Sequence, residues 1–379
     1  KGLKRLVNPR DAESNLADRA RSYLHANCAH CHQFGGGGSA NILLSALVEP
    51  EKMLCLDVPP TQGTFGISGA RVIAPGDPDG SVLLYRVNKL GSGHMPRLGS
   101  NLIDEPAARL LAQWIGSIPP PNTTDKSATA ARAEVEKLLE ALDEGAIGPA
   151  AREAVVRELL GSTRGAMAFA RWLDRSPTPG DPSFRKHMLA IAAAHPRVET
   201  RDLFERFLPA SERVRRLGDA IDARQLLALS GDAERGWKVF SESAAQCRTC
   251  HKARGVGQTL GPDLDGIGAK YPKDELLAHI LQPSLRVDPA YITHLVETTG
   301  GQVLTGMLVS KSASEIVLKD NQNKTVTIPA AEVERMAPQS QSLMPELLLR
   351  EMTAQEVADL LAFLTTLREV EPSSVGSPR

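Results

Sequence analysis

Apolar residues at helical spacing open the chain. Leu16, Ala20, Tyr23 and Leu24 predict a helix over about 14–26, capped by Ser14 and delivering Cys28 at its C-terminal end. A turn-rich stretch follows, with a glycine run at 35–38, Pro59-Pro60 and Ala74-Pro75-Gly76-Asp77-Pro78. The glycine run suits either a surface loop or a backbone that approaches a bulky group closely. Ser81 is placed to cap a short helix through Leu90, and a further helix is expected over about 104–118. Pro119-Pro120-Pro121 reads as a stiff spacer. Beyond it, from 123 to about 228, Ala, Leu, Arg and Glu dominate, and stretches 131–141, 149–160, 164–174, 184–195 and 200–207 predict a bundle of short helices that could be repeat-like.

Gly231-Asp232 marks the cap of a helix that runs to about 243 and leads into Cys247. The period then changes. Ile292-His294-Val296, Val303-Thr305-Met307-Val309, Ile316-Leu318 and Val326-Ile328 place mostly apolar residues at every second position, with turns at Thr299-Gly300-Gly301 and Asp320-Asn321-Gln322-Asn323. A small antiparallel insert at about 290–336 is the expectation. A terminal helix over about 353–367 and a flexible tail at 371–379 complete the chain. The fold class is therefore mainly α: a unit over 1–122, a helical linker domain over 123–228, and a second unit over 229–370 that carries the β insert.

The 379 residues leave room for two or three domains. Lys plus Arg number 44 against 45 Asp plus Glu, and 42% of residues are hydrophobic. That balance argues against nucleic acid as a partner and against wholesale disorder. No run reaches the ~18 apolar residues of a spanning helix, so no transmembrane segment is expected in this chain. The chain starts at Lys1 without a leader pattern, and is expected to be a processed product or a piece of a longer protein whose targeting signal lies elsewhere.

The cysteines carry the chemistry. Four of the five fall into Cys28-Ala29-His30-Cys31-His32 and Cys247-Arg248-Thr249-Cys250-His251, two copies of Cys-x-x-Cys-His. This is the attachment signature of c-type haem: two thiols three positions apart add to the porphyrin vinyl groups, and the adjacent imidazole ligates iron. A zinc site would want its cysteine pairs roughly 15–20 residues apart and gives no reason for the trailing histidines. A thioredoxin-like pair would want a preceding strand, and helix-favouring segments precede both motifs here.

Each haem needs a sixth ligand. Met95-Pro96 lies 63 residues after His32 and Met344-Pro345 lies 93 after His251, each in a loop before a helix. A thioether in that position is a soft ligand that raises the potential. Met95 and Met344 are the candidate distal ligands, with His94 as the rival in the first unit and Met336 or Met352 in the second. His25, His187, His195, His279 and His294 are read as surface or structural, and His30 as a solvent-facing spacer. The carbonyl of Pro262, in Gly261-Pro262-Asp263-Leu264, could accept the Nδ1–H of His251 and fix the ring, or the segment could be an ordinary turn. Cys55 has no thiol left to pair with and is a buried free thiol or an intermolecular contact.

The second unit resembles the haem-binding domain common in planctomycete and verrucomicrobial secreted proteins, through Gly231-Asp232-Ala233, Cys247-x-x-Cys250-His251, Gly261-Pro262-Asp263-Leu264, Ile280-Leu281-Gln282-Pro283-Ser284, the β insert and Ser342-Leu343-Met344-Pro345. The stretch from Leu203 to Gly218 resembles the approach to that domain. The first unit is similar to planctomycete-type cytochrome c domains through Asn27 to His32, Pro75-Gly76-Asp77-Pro78 with Ser81, Met95-Pro96 and Trp114-Ile115. The resemblance implies two cytochrome c-like domains, two covalent haem c groups, the axial pairs His32–Met95 and His251–Met344, and a periplasmic or otherwise extracytoplasmic location. Its relatives often join such modules to a sugar-dehydrogenase-like propeller, a pattern not evident in this sequence.

Three functions follow as expectations. The first is an electron carrier without its own substrate chemistry, taking single electrons from a dehydrogenase donor and passing them to a cytochrome or oxidase acceptor. The second is a dihaem peroxidase-like enzyme with one open iron, although the sequence around the motifs does not resemble those enzymes. The third is the haem-bearing tail of a larger sugar dehydrogenase.

Overall fold

In helix α1 (Leu16–Asn27) the buried face is drawn from Ala20, Arg21, Ser22 and Leu24, and the helix ends at Cys28 as its C-cap. Its N-cap is Asn15, whose side chain accepts from the amides of Ala17 and Asp18. Ser14, the cap expected from the sequence, is engaged elsewhere: its hydroxyl donates to the Asp11 carboxylate at 2.7 Å. The computed structural model describes all residues except 1–4, 34–39, 41, 62, 97–101, 122–124, 144–147, 176–181, 243–246, 321–322 and 369–379. The glycine run at 35–38, the tail at 371–379 and Asn321-Gln322 of one expected turn lie outside the described residues.

The described residues are mainly helical with a small antiparallel sheet, and the chain divides into two compact units, 1–214 and 215–379. In the first, α1 packs on α3 (Glu105–Ser117), and the short α2 (Val82–Asn88) contributes the fully buried Leu84 and Tyr85. Ser81 stands at the N-cap position of α2 without a capping bond, and its hydroxyl instead donates to the Asp77 carbonyl at 2.9 Å. Asp104 caps α3 through the Ala107 amide.

Five more helices follow: α4 (Lys126–Asp143), α5 (Pro149–Leu160), α6 (Thr163–Arg175), α7 (Pro182–Ala193) and α8 (Val198–Arg201). The sequence suggested a separate linker domain here. In the structure these helices share one continuous core with the first haem segment, running from Ala20 and Leu24 through Leu111 and Ile115 to Phe169, Trp172 and Phe204. Helix α6 is buried on nearly every side, as a helix enclosed by neighbours must be. Polar contacts reinforce the union. Arg164 pairs with Asp77, Arg171 with Asp79, and Tyr85 Oη donates to the Glu199 carbonyl at 3.1 Å.

The second unit begins at Arg215 rather than near 229, because the amides of Leu217 and Gly218 donate to the carbonyls of Met352 and Arg350 at 3.0 and 2.9 Å. Its helices are α9 (Ala223–Ala228), α10 (Ala233–Glu242), α11 (Ile267–Lys270), α12 (Lys273–Leu281) and α13 (Ala354–Thr366). Helix α13 opens with a capping box between Thr353 and Glu356. It crosses α10 so closely that a Cβ on Gly231 or Gly236 would overlap the carbonyls of Ala358 and Asp359. Trp237, Phe240 and Phe363 fill the crossing with ring centroids 5.4–5.8 Å apart.

A two-stranded ladder, β1 (Lys252–Ala253) and β2 (Val256–Gly257), follows the second motif. The insert is a five-stranded sheet of β3 (Thr293–Thr298), β4 (Val303–Lys311), β5 (Glu315–Lys319), β6 (Thr325–Pro329) and β7 (Val333–Pro338). All its pairings are antiparallel, and β7 closes beside β3 to give the order β6-β5-β4-β3-β7. Val296, Ile316, Leu318 and Ile328 form a core of its own, which is what strict alternation over these strands requires.

Candidate haem sites

The two Cys-x-x-Cys-His segments make the same backbone turn. In the first, the Cys28 carbonyl accepts from the amides of Cys31 and His32 at 3.2 and 2.9 Å. In the second, the Cys247 carbonyl accepts from Cys250 and His251 at 3.2 and 2.8 Å. Both cysteines and the histidine are thus gathered on one turn in each unit. Helix α1 supplies the first turn, with the Cys28 amide bonded to the Leu24 carbonyl at 2.9 Å, and a short 3₁₀ turn over Cys247–Thr249 forms the second.

The thiols sit against apolar packing. Burial, helped by Cys31, pushes the Cys28 thiol up to about 12, and burial pushes Cys247 up to about 11 and Cys250 upward. They are therefore held as neutral thiols, the form that adds across a vinyl group. Two thiols beside an imidazole on a half-apolar turn are a donor set that fits a covalently attached porphyrin.

At the second motif the imidazole is fixed. His251 Nδ1 lies 2.8 Å from the Pro262 carbonyl oxygen, and burial lowers the ring's pKa against the raising effect of that bond. With Nδ1–H donated to Pro262, Nε2 carries the lone pair of a neutral ring suited to iron. Gly261 packs against the ring face, where a Cβ would sit 2.7 Å from His251 Cε1 and 2.9 Å from Nδ1. At the first motif the His32 carbonyl accepts from the Leu44 amide at 2.9 Å, and His30 is exposed.

Met95 is half-buried in the loop after α2. Its amide donates to the Arg86 carbonyl at 3.1 Å, while Arg86 Nη1 and Lys89 Nζ donate to the carbonyls of Gly93 and Ser92 at 3.1 and 2.5 Å. His94 is buried in the same loop. Met344 is half-buried, with its amide donating to Ser342 Oγ at 3.1 Å, and the Ser342 amide donates to Ser284 Oγ at 3.2 Å. Its two rivals have other positions: Met336 packs on the sheet core from β7, and Met352 is buried among the helices of the second unit. Cys55 is fully buried in the core of the first unit, where burial pushes its thiol up to about 12, so it is an internal thiol.

Sequence reasoning missed Lys89 and Asp202, a buried ion pair at 2.9 Å beside the Met95 loop. The partners lie 113 positions apart, and no local pattern links them.

Residues 233–308 match the family model for cytochrome c. The matched stretch starts with α10, contains Cys247, Cys250, His251 and Pro262, and runs into β4. It supports a c-type cytochrome with covalently bound haem c iron, a haem-based electron-transfer role and redox partners in general; domains of this kind typically lie outside the cytoplasm. No curated protein matches the chain. Among the described residues, no helix is long and apolar enough to cross a membrane.

Proposed function

We propose that the chain is a dihaem c-type cytochrome that passes single electrons from a periplasmic dehydrogenase to a downstream cytochrome or oxidase. The observation that carries this reading is the shared turn, in which the carbonyl of the first cysteine receives the amides of the second cysteine and the histidine in both units. The same pair of hydrogen bonds, at matching lengths, in two differently built units supports the same use for both. Cys28, Cys31, Cys247 and Cys250 would hold the two porphyrins, and His32 with Met95 in one unit and His251 with Met344 in the other would supply the iron ligands.

Bound haem supplies a reversible one-electron iron couple. The protein's own work is positional. Pro262 holds the His251 ring through Nδ1, and the loops bearing Met95 and Met344 are tied back by Arg86, Lys89 and Ser342. Apolar side chains packed beside Cys28 and Cys247 lower the local polarity at the attachment turns, which raises the cost of the extra charge on ferric iron.

The test is a carbon monoxide titration of the reduced, haem-loaded protein, together with a haem count. Two haems per chain, falling to one in Cys28→Ala/Cys31→Ala and to one in Cys247→Ala/Cys250→Ala, with neither haem taking up carbon monoxide, is the expected result. One haem that binds it readily overturns the carrier reading in favour of a peroxidase-like enzyme.

A further inference from the structure

We propose that the buried Lys89–Asp202 pair is a strut through which the helical segment after the first haem motif fixes the Met95 loop and keeps that iron closed. The inference rests on the reading of Met95 as an axial ligand. Lys89 Nζ is held at 2.9 Å by Asp202 and at 2.5 Å by the Ser92 carbonyl, and the two side chains are only 3% and 2% exposed. Asp202 grips α2's exit a second time, its carbonyl accepting from the Leu90 amide at 3.2 Å. The loop between is short. Three residues beyond Ser92, the Met95 amide returns to the Arg86 carbonyl on α2.

A buried ion pair is seldom more stable than apolar side chains of the same volume, since desolvation offsets the attraction. What Lys89 supplies that an apolar residue cannot is a donor to the Ser92 carbonyl while anchored to α8's end. Lys89 and Asp202 are positioning residues that act through the loop.

The test uses the full-length, haem-loaded protein, with the second haem as internal reference. In Asp202→Asn, one of the two reduced haems is expected to take up carbon monoxide, which neither haem does in the parent, because the loop opens more often, and its potential is expected to fall. The other haem stays unchanged. A lower melting temperature with both potentials and carbon monoxide uptake unaltered overturns the proposal, because a purely structural pair would behave that way. If Asp202→Asn does not fold, Lys89→Met/Asp202→Leu restores apolar packing while removing the bond to Ser92. Near-parental stability with an opened haem supports the strut, and parental ligation in that variant overturns it. Met95→Ala separates the two readings: if it changes neither haem, the ligand assignment fails and the proposal with it.

Discussion

Arg164 Nη1 lies 2.7 and 2.6 Å from the two carboxylate oxygens of Asp77, joining α6 to the turn that precedes α2. The guanidinium is 3% exposed and also donates through Nη2 to the Ser68 carbonyl at 3.1 Å. Asp77→Ala leaves that cation buried without its counter-charge, which costs about 3–5 kcal/mol for a broken buried pair. We expect urea unfolding of Asp77→Ala to show that loss. A fragment ending at residue 122 should lack cooperative unfolding, since it would expose the apolar residues that Phe169, Trp172 and Phe204 cover. A fragment that unfolds cooperatively would contradict the shared core.

What was legible in the sequence was local. The Cys-x-x-Cys-His turns, the alternation at Ile316-Leu318 and the helix beginning near residue 104 each depend on residues a few positions apart. The separate linker domain was misread because an amphipathic helix announces that one face is buried and is silent about what covers it. Asp77 and Arg164 are 87 positions apart, and their pairing exists only once α6 lies across the first haem segment. The extent of the second unit failed for the same reason, its start being set by Leu217 and Gly218 meeting the chain near Met352.

Gly236→Ala tests the crossing of α10 and α13. A Cβ there would overlap the Asp359 carbonyl and crowd Phe363 at 2.7 Å, with backbone rather than a flexible side chain in the way. Overpacking of this kind costs roughly 1–3 kcal/mol. The second unit should melt earlier, and its Trp237 fluorescence should report the change, while the first unit melts as before.

Asp359 gives the second unit an acid limit. Burial alone would raise its pKa, but the Arg235 guanidinium at 2.7 and 2.8 Å, the Asp232 amide at 2.8 Å and the Gln355 amide hold it below the usual carboxylate value. A carboxylate depressed in the folded state stabilises fully above its unfolded pKa of about 3.9, and loses that contribution as pH falls through the folded value. Melting temperatures of the parent and Asp359→Asn should therefore converge below about pH 4 and separate above it. A gap that stays constant from acid to neutral pH would remove Asp359 as the cause.

The closest test of the second haem site is Gly261→Ala. The added methyl would meet His251 at 2.7 Å from Cε1, 2.9 Å from Nδ1 and 3.1 Å from Nε2, contacts tight enough that ring or backbone must shift. Either shift breaks the 2.8 Å approach of Nδ1 to the Pro262 carbonyl that sets the ring's tautomer and angle. Loss of such a supporting partner weakens a metal–imidazole bond by about 10–100-fold. In the reduced holoprotein, added imidazole should then compete at that iron at correspondingly lower concentration, while the first haem responds as in the parent. Circular dichroism of the variant should match the parent, since residue 261 lies in a loop and its neighbour in question is a side chain. Unchanged competition in a folded variant would mean that the Pro262 bond does not govern the ring, and His251 would have to be held by contacts other than these two.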